Sequence, residues 1–382
     1  MQKSRNHIFV VTAVCLFNAL ILYMFLAPFR KTPVYDLPQF YFAAKLVRSG
    51  QIARLYDTEA YRPYINELRR IDPAAARYSL YFNRPAFEAP LFLPLAFVSF
   101  QWATKLVVAA NAFLLGLIVW FLPKWFPGGH GMRMWLFAFM PFLYSITLGQ
   151  DTLLFTLIVA FAFYLSLDGE DGEAGVVLAL ALFKPHLLLA VPLAMAASRR
   201  WKLLGSFLAM GAALGFASFA LVGWHGLQLW LRLLQAPTTD AVPWMMGNVR
   251  GLGIHLGSGM ELAAAGVTAA AYFWTLRAGS YEQRLAAALL AGLLLSPHTY
   301  VQDYSTLAVV ALIALQPALA YVWLLPWAYF HPTLGNKSMV PFVLLAVASL
   351  VSLPAFPFLK RLRGGIQRQE TGRQRGTAEV EL

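Results

Sequence analysis

Long apolar runs, divided by short loops rich in lysine and arginine, take up most of this chain and leave few folds open to it. Residues 8–27, 101–122, 203–222 and 339–358 each approach the roughly 20 residues that a helix needs to cross about 30 Å of hydrocarbon. Hydrophobic residues make up 59% of the 382 and charged residues only 13%, with a mean hydropathy of +0.60. A water-soluble domain has nowhere to bury that much apolar surface. The expected fold is therefore an all-α polytopic membrane protein with about 12 transmembrane helices. The net charge of +12 does not point to nucleic acid, because its basic residues sit in short loops. Lys124 and Arg133, then Arg199, Arg200 and Lys202, then Arg277 and Arg284, then Lys360, Arg361 and Arg363 mark cytoplasmic connections. The single cysteine, Cys15, lies inside the first apolar run, which excludes a disulfide framework and a thiolate metal site.

Sidedness follows from those loops. Lys3 and Arg5 hold the start of the first run in the cytoplasm, and the run is read as a retained span. Residues 29–100 then form a large first outer loop with juxtamembrane helices. In it Phe40, Ala43, Ala44 and Val47 recur at helical spacing before Ser49 and Gly50, as in an interfacial amphipathic helix. Residues 87–100 are apolar but interrupted by Pro90 and Pro94, so they enter the membrane surface without crossing it. Residues 224–259 form a second outer loop, Lys184-Pro185-His186 breaks one apolar run into two short helices, and 1–363 make one integral-membrane domain. The polar tail 364–382 is expected to be disordered and cytoplasmic. No internal repeat is evident.

Asp36 falls about ten residues beyond the first span and beside the aromatic helix, where a carboxylate is well placed to take a proton from a hydroxyl. Asp36, Glu88, Asp151 and Asp303 all border apolar runs, and the topology puts them on one face with Lys184, His186, Asn248, Arg250, His298 and Tyr300. Ionisable groups beside hydrocarbon are costly and mark functional positions. Plainer readings stand beside each. Asp36 and Asp151 suit helix N-caps, Lys184 and His186 suit snorkelling positions, His298 and Asp303 suit a mutual turn-closing pair, and Arg250 suits nonspecific headgroup contact. There is no phosphate-binding glycine loop ending in Lys-Ser or Lys-Thr, no His-Glu-x-x-His and no Gly-x-Ser-x-Gly. The seven histidines are scattered, so no metal and no cofactor is called for.

The ordered segments DLPQFYFAAKLVRSGQIARLYD, FNRPAFEAPLFLPLAF, LGQDTLLFTLIVAFAF, ALFKPHLLLAVPLAMAASRRWK, GNVRGL and LSPHTYVQDYSTL resemble glycosyltransferase family 87, bacterial membrane enzymes of the wider C-type glycosyltransferase fold. The resemblance implies transfer of a sugar, typically mannose, from a polyprenyl-phosphate donor to a lipid or glycan acceptor on the outer face of the cytoplasmic membrane. By the family pattern Asp36 would be the general base, and His298 a second active-site residue. Where family members often carry Pro-Pro, this chain has Arg84-Pro85-Ala86. The residues themselves fit such chemistry. Phosphate is a good leaving group, so one base and a set of phosphate-holding cations, Lys184, Arg250 and His186 or His298, would suffice for an inverting displacement. Membrane lipids are the expected surroundings, and the oligomeric state is not indicated. The rival classes are a lipid-linked sugar transporter or flippase, which also needs buried charge and broken helices, and a noncatalytic envelope-assembly protein.

Overall fold

A computed structural model describes residues 36–73, 76, 81–126, 133–137, 139–235, 246–314 and 340–355. The expected first span at 8–27, a further expected span at 318–330 and the tail at 364–382 lie outside the described residues. Those described are helical, with no strand among them. In chain order the helices are α1 (Leu37–Arg48), α2 (Arg62–Ile71), α3 (Phe100–Trp125), α4 (Arg133–Phe137), α5 (Met140–Leu148), α6 (Thr152–Asp168), α7 (Asp171–Ala179) and α8 (Val191–Ala197). They continue as α9 (Trp201–Gln235), α10 (Val249–Leu256), α11 (Ser258–Ala278), α12 (Tyr281–Leu295), α13 (Leu307–Ala314) and α14 (Val340–Ser352). Three 3-10 segments, Ala86–Phe97, Pro185–Leu188 and Val301–Thr306, carry much of what matters for the site.

Two of these helices are long and apolar enough to cross a bilayer. The most apolar 18-residue windows of α3 and α9 have mean hydropathies of 2.3 and 1.8, yet only 28% and 11% of those windows are covered by protein. Trp102, Phe113 and Trp120 on α3, and Leu208 and Phe216 on α9, stand exposed. Side chains of that size left bare along a helix are matched by lipid, so the chain is a membrane protein. Helix α9 runs past the end of its expected span at 222 and turns at Gly223, whose backbone is non-helical (φ 65°, ψ −173°). The stretch read as a second outer loop, 224–259, is accordingly helical over much of its length, in the last turns of α9, in α10 and at the start of α11.

The packed interior divides into two cores. The larger surrounds α12, which is buried on nearly every side from Gln283 to Leu294. An alanine- and leucine-rich sequence is a strong helix former, and a capping box starts this one. The Gln283 amide N–H donates to Ser280 Oγ at 3.4 Å while the Gln283 side-chain oxygen accepts from the Ser280 N–H at 2.7 Å. Helices α5, α6, α7, α8 and α13 contribute to the same core. The smaller core is built from α1, the loop through Tyr61, segment 86–97, the start of α3 and Val222 of α9.

Helix α1 forms where the periodicity placed it, with Pro38 in its first turn and Ser49 at its C-cap. It is not an interfacial helix, however. Leu37 through Ala44 are all buried, because segment 86–97 lies across it. Phe40 stacks on Phe92 at 4.3 Å, Tyr41 donates to the Val98 carbonyl at 3.0 Å, and Lys45 and Arg48 both donate to the Ala96 carbonyl, at 3.1 and 2.7 Å. Segment 86–97 is a 12-residue 3-10 helix containing Pro90 and Pro94. At about 2 Å per residue it extends about 24 Å, short of a hydrocarbon core.

Close helix packing depends on glycine at one position near the site. A Cβ on Gly292 of α12 would sit 2.3 Å from the Leu187 carbonyl oxygen, in the segment that follows Lys184. Gly292→Ala should therefore lower the thermal midpoint of the detergent-solubilised protein, by an amount equivalent to about 1–3 kcal/mol. Gly266→Ala, where a Cβ meets nothing within 4 Å, should be neutral or stabilising by up to about 1 kcal/mol.

Candidate active site

The polar residues converge on the seam between the two cores. The turn joining α5 to α6 delivers the central pair. Gly149 closes α5 in the left-handed conformation (φ 68°), where a residue with a Cβ is disfavoured. Gln150 and Asp151 are thereby swung off the helix axis toward segment 81–88. Asp151 stands at the N-cap of α6, but its side chain makes no cap hydrogen bond. It accepts instead from Arg84, Nη1 to Oδ2 at 2.9 Å and Nη2 to Oδ1 at 3.1 Å. That bidentate pair joins the smaller core to the larger.

From Asp151 a chain of ion pairs continues inward. Lys184 Nζ lies 3.5 Å from Asp151 Oδ1 and 2.8 Å from Asp303 Oδ1, and donates to Thr152 Oγ1 at 2.8 Å. Lys184 precedes Pro185, and its non-helical backbone (φ −119°, ψ 64°) breaks the helical run and turns its side chain inward. Asp303 accepts on its other oxygen from the Tyr300 N–H at 3.1 Å. All four charged groups are buried. Burial alone would raise the carboxyl of Asp151, but the positive charges of Arg84 and Lys184 outweigh it and hold Asp151 below the ordinary carboxylate range. Glu88 is buried beside them, its Oε2 without a hydrogen-bond partner.

Asp36 lies at the outer end of this arrangement and differs from the other acids. It occupies the N-cap of α1 without a side-chain cap bond, and its N–H donates to the Leu148 carbonyl at 3.1 Å. Its Oδ2 accepts from Gln150 Nε2 at 2.6 Å, and Gln150 Oε1 in turn accepts from Arg84 Nη2 at 3.0 Å. Asp36 is partly exposed and, among the described residues, is in no ion pair. Burial pushes its carboxyl up to about 6, opposed by the Gln150 hydrogen bond and by the charges of Arg84 and Lys184.

Two histidines lie near the Lys184 and Asp303 end of the ion-pair chain. The rings of His186 and His298 lie 4.6 Å apart with a 38° tilt, and Tyr300 stands 6.5 Å from His298. His186 Nε2 is buried with no hydrogen-bond partner. Burial lowers His298 below the usual imidazole range, with the charge of Asp303 opposing only in part. His298 does not pair with Asp303 to close the turn, because Lys184 holds that carboxylate. Arg250 is exposed at the rim and donates to the Pro297 carbonyl at 3.4 Å.

The sequence-derived set is thus gathered in one region but divided in role. Asn248 is structural: its side chain accepts from the Gly251 N–H, capping α10, and donates to the Ser296 carbonyl at 2.9 Å. Lys184, expected to hold a phosphate, has its ammonium engaged by Asp151, Asp303 and Thr152. It donates hydrogen bonds to Thr152 and Asp303 and stands in an ion pair with Asp151, so its charge is already matched within the fold. Arg84, Gln150 and Thr152 were not singled out from the sequence. Arg84 was one of many charges in the first outer loop, and the signal that would have separated it is its place as a lone cation opening an apolar, proline-broken segment.

A helical membrane protein with a buried polar seam under one accessible carboxylate is the class these features define. The chain matches glycosyltransferase family 87 over residues 82–297 and belongs to that family. The matched span contains Arg84, Glu88, Asp151, Lys184, His186, Asn248 and Arg250, while Asp36, His298, Tyr300 and Asp303 flank it. No match was found among curated proteins or among solved structures.

Removing one member of the buried pair should cost far more than removing both. Asp151→Ala strands the buried Arg84, leaves Lys184 with Asp303 as its one remaining carboxylate, and should destabilise by about 3–5 kcal/mol. Arg84→Met with Asp151→Leu should lose clearly less than the sum of the two single changes, read as thermal midpoints in a double-mutant cycle.

Proposed function

We propose that this protein moves a hexose, mannose-like in its stereochemistry, from a polyprenyl-phosphate donor to a hydroxyl of a lipid or glycan acceptor, on the outer face of the bacterial cytoplasmic membrane. Family membership supports sugar transfer, and the exposed apolar faces of α3 and α9 support a membrane setting. The proposed whole is a single domain of about twelve spans with the C-type architecture, in which 29–100 and 224–259 lie outside and 364–382 inside.

One observation carries the assignment of the base. Of the four acids bordering apolar runs, Glu88, Asp151 and Asp303 are 1%, 8% and 2% exposed, and the two aspartates are consumed in ion pairs. Asp36 is reachable, and its Oδ1 has no hydrogen-bond partner among the described residues. In the proposed step the acceptor hydroxyl gives its proton to Asp36 Oδ1 as its oxygen attacks the anomeric carbon from the side opposite the phosphate. The bond between that carbon and the phosphate oxygen breaks, its electron pair leaves on the polyprenyl phosphate, and the anomeric configuration inverts. Phosphate needs no proton to leave, so no second acid is required. Arg250 supplies positive charge at the rim, and the neutral His298 offers an N–H to the leaving phosphate. Lys184 acts one layer deeper, holding Asp151 and Asp303 in place. Glu88, Asp151, Tyr300, Asp303 and Asn248 shape and support the pocket.

Asp36→Asn keeps the shape and removes the base. Transfer of label from radiolabelled polyprenyl-phosphate mannose to membrane lipids should fall by about 10²–10⁴-fold with the protein still folded, and near-normal turnover would refute the assignment. Because the ionised carboxylate is the active form, kcat of the unaltered enzyme should rise with pH through about 6 and be lost below it. Movement of the labelled lipid between leaflets without transfer would instead identify a flippase.

A further inference from the structure

Gln150 has both ends of its side chain committed. Arg84 can only donate, so the Gln150 atom 3.0 Å from Arg84 Nη2 must be the carbonyl oxygen. The amide nitrogen is then obliged to face Asp36 Oδ2 at 2.6 Å. Arg84 cannot turn away to release it. Its guanidinium is gripped twice by Asp151 and lies 5.6 Å over the ring of Phe40, and its carbonyl accepts from the Tyr56 hydroxyl at 2.6 Å. Gln150 is itself buried and its N–H is tied to the Ser145 carbonyl at 3.0 Å.

We propose that Gln150 is a positioning residue for the transfer reaction, its amide locked by Arg84 so that it always donates to Asp36 Oδ2 and turns Oδ1 toward the acceptor hydroxyl. This rests on the reading of Asp36 as the base. The arrangement has a chemical logic. A guanidinium placed directly on Asp36 would hold the carboxylate so firmly ionised that it would take up a proton poorly. A carboxylate with no donor at all would stay protonated in that half-buried place. An amide between the two passes on the orientation of Arg84 while giving Asp36 one neutral hydrogen bond, which leaves it a base that titrates near working pH.

The test uses the full-length protein in detergent or nanodiscs and two variants. Gln150→Leu removes the donor; Gln150→Glu keeps the shape and the Arg84 contact but sets an oxygen against Oδ2. Difference infrared spectroscopy, with Asp36→Asn to assign the carboxyl band, follows the protonation of Asp36 without any substrate. In both variants the titration of Asp36 should move to higher pH by about one unit or more. With radiolabelled polyprenyl-phosphate mannose as donor, kcat should fall by about ten- to a hundredfold with its acidic limb displaced the same way, and the donor KM should change less than about threefold. An Asp36 titration and an acidic limb that stay in place in both variants would overturn the proposal. If Gln150→Leu does not fold, Gln150→Glu decides. The two assignments fail separately: an active Asp36→Asn enzyme defeats the base, whereas an inactive one together with unchanged Gln150 variants defeats only the positioning role. In the Asp36→Asn background Gln150→Leu should lower kcat no further.

Discussion

The bidentate pair of Arg84 with Asp151 is the contact on which the arrangement of this molecule turns. Its two halves belong to different cores, Arg84 to the one built around α1 and segment 86–97, Asp151 to the one built around α12. Helices α3 and α9 run through both cores, but apolar packing is nondirectional and does not by itself fix how the polar segments between them meet. A planar guanidinium facing a carboxylate across two hydrogen bonds admits one geometry. Buried ion pairs of this kind contribute little net stability once desolvation is counted, but breaking one is expensive. The pair therefore acts chiefly as a register mark that sets where Asp36, carried by the smaller core, stands relative to His186 and His298, carried by the larger.

The charges behind it follow from the same economy of solvation. Two cations, Arg84 and Lys184, and two anions, Asp151 and Asp303, alternate along the seam, so each buried charge faces an opposite one. A lone ammonium or carboxylate there would carry a penalty of several kcal/mol. Two acids stand outside these ion pairs: Glu88, buried beside them, and Asp36, where partial exposure keeps the penalty modest and burial raises the carboxyl only to about 6. The proposed base thus stands at the edge of a network whose two cations are already paired.

Much of this was legible in the chain, and the remainder was hidden for identifiable reasons. The period of Phe40, Ala43, Ala44 and Val47 located α1, and the helical break at Lys184-Pro185 followed from steric restriction before proline. The positive-inside pattern put Asp36, Glu88, Asp151, Lys184, His186, His298 and Asp303 in a common region without any knowledge of their contacts. Periodicity could not say that α1 is covered on both sides, because its cover, segment 86–97, is apolar nearly all round and interrupted by Pro90 and Pro94, and so shows no amphipathic stripe to recognise. Nor could it separate ligand-holding cations from structural ones. Lys184 and Arg250 read alike as isolated cations near apolar runs, and only the positions of Asp151 and Asp303 show that the first is spent within the fold. Gln150 was invisible for a related reason: an amide is informative when its two neighbours are known, and those neighbours, Asp36 and Arg84, are more than sixty positions away in sequence.

Saturation of the buried cations also bears on how a phosphate-bearing lipid would be held. With Arg84 and Lys184 committed to carboxylates, the positive charge free to meet a donor is at the rim, on Arg250, beside the neutral His298. For a soluble sugar nucleotide that would be a weak grip, since binding would have to overcome the full loss of translational freedom from solution. A polyprenyl-phosphate sugar is already confined to the bilayer by its tail, which raises its effective concentration at a membrane-embedded site and removes most of that cost before any contact is made. A modest phosphate clamp then has an advantage. The product lipid phosphate carries more charge than the donor it came from, and a deep site lined with unpaired cations would hold it after transfer. In the proposed reaction, a rim with one arginine and one imidazole would orient the donor and still let the product diffuse away in the plane of the membrane.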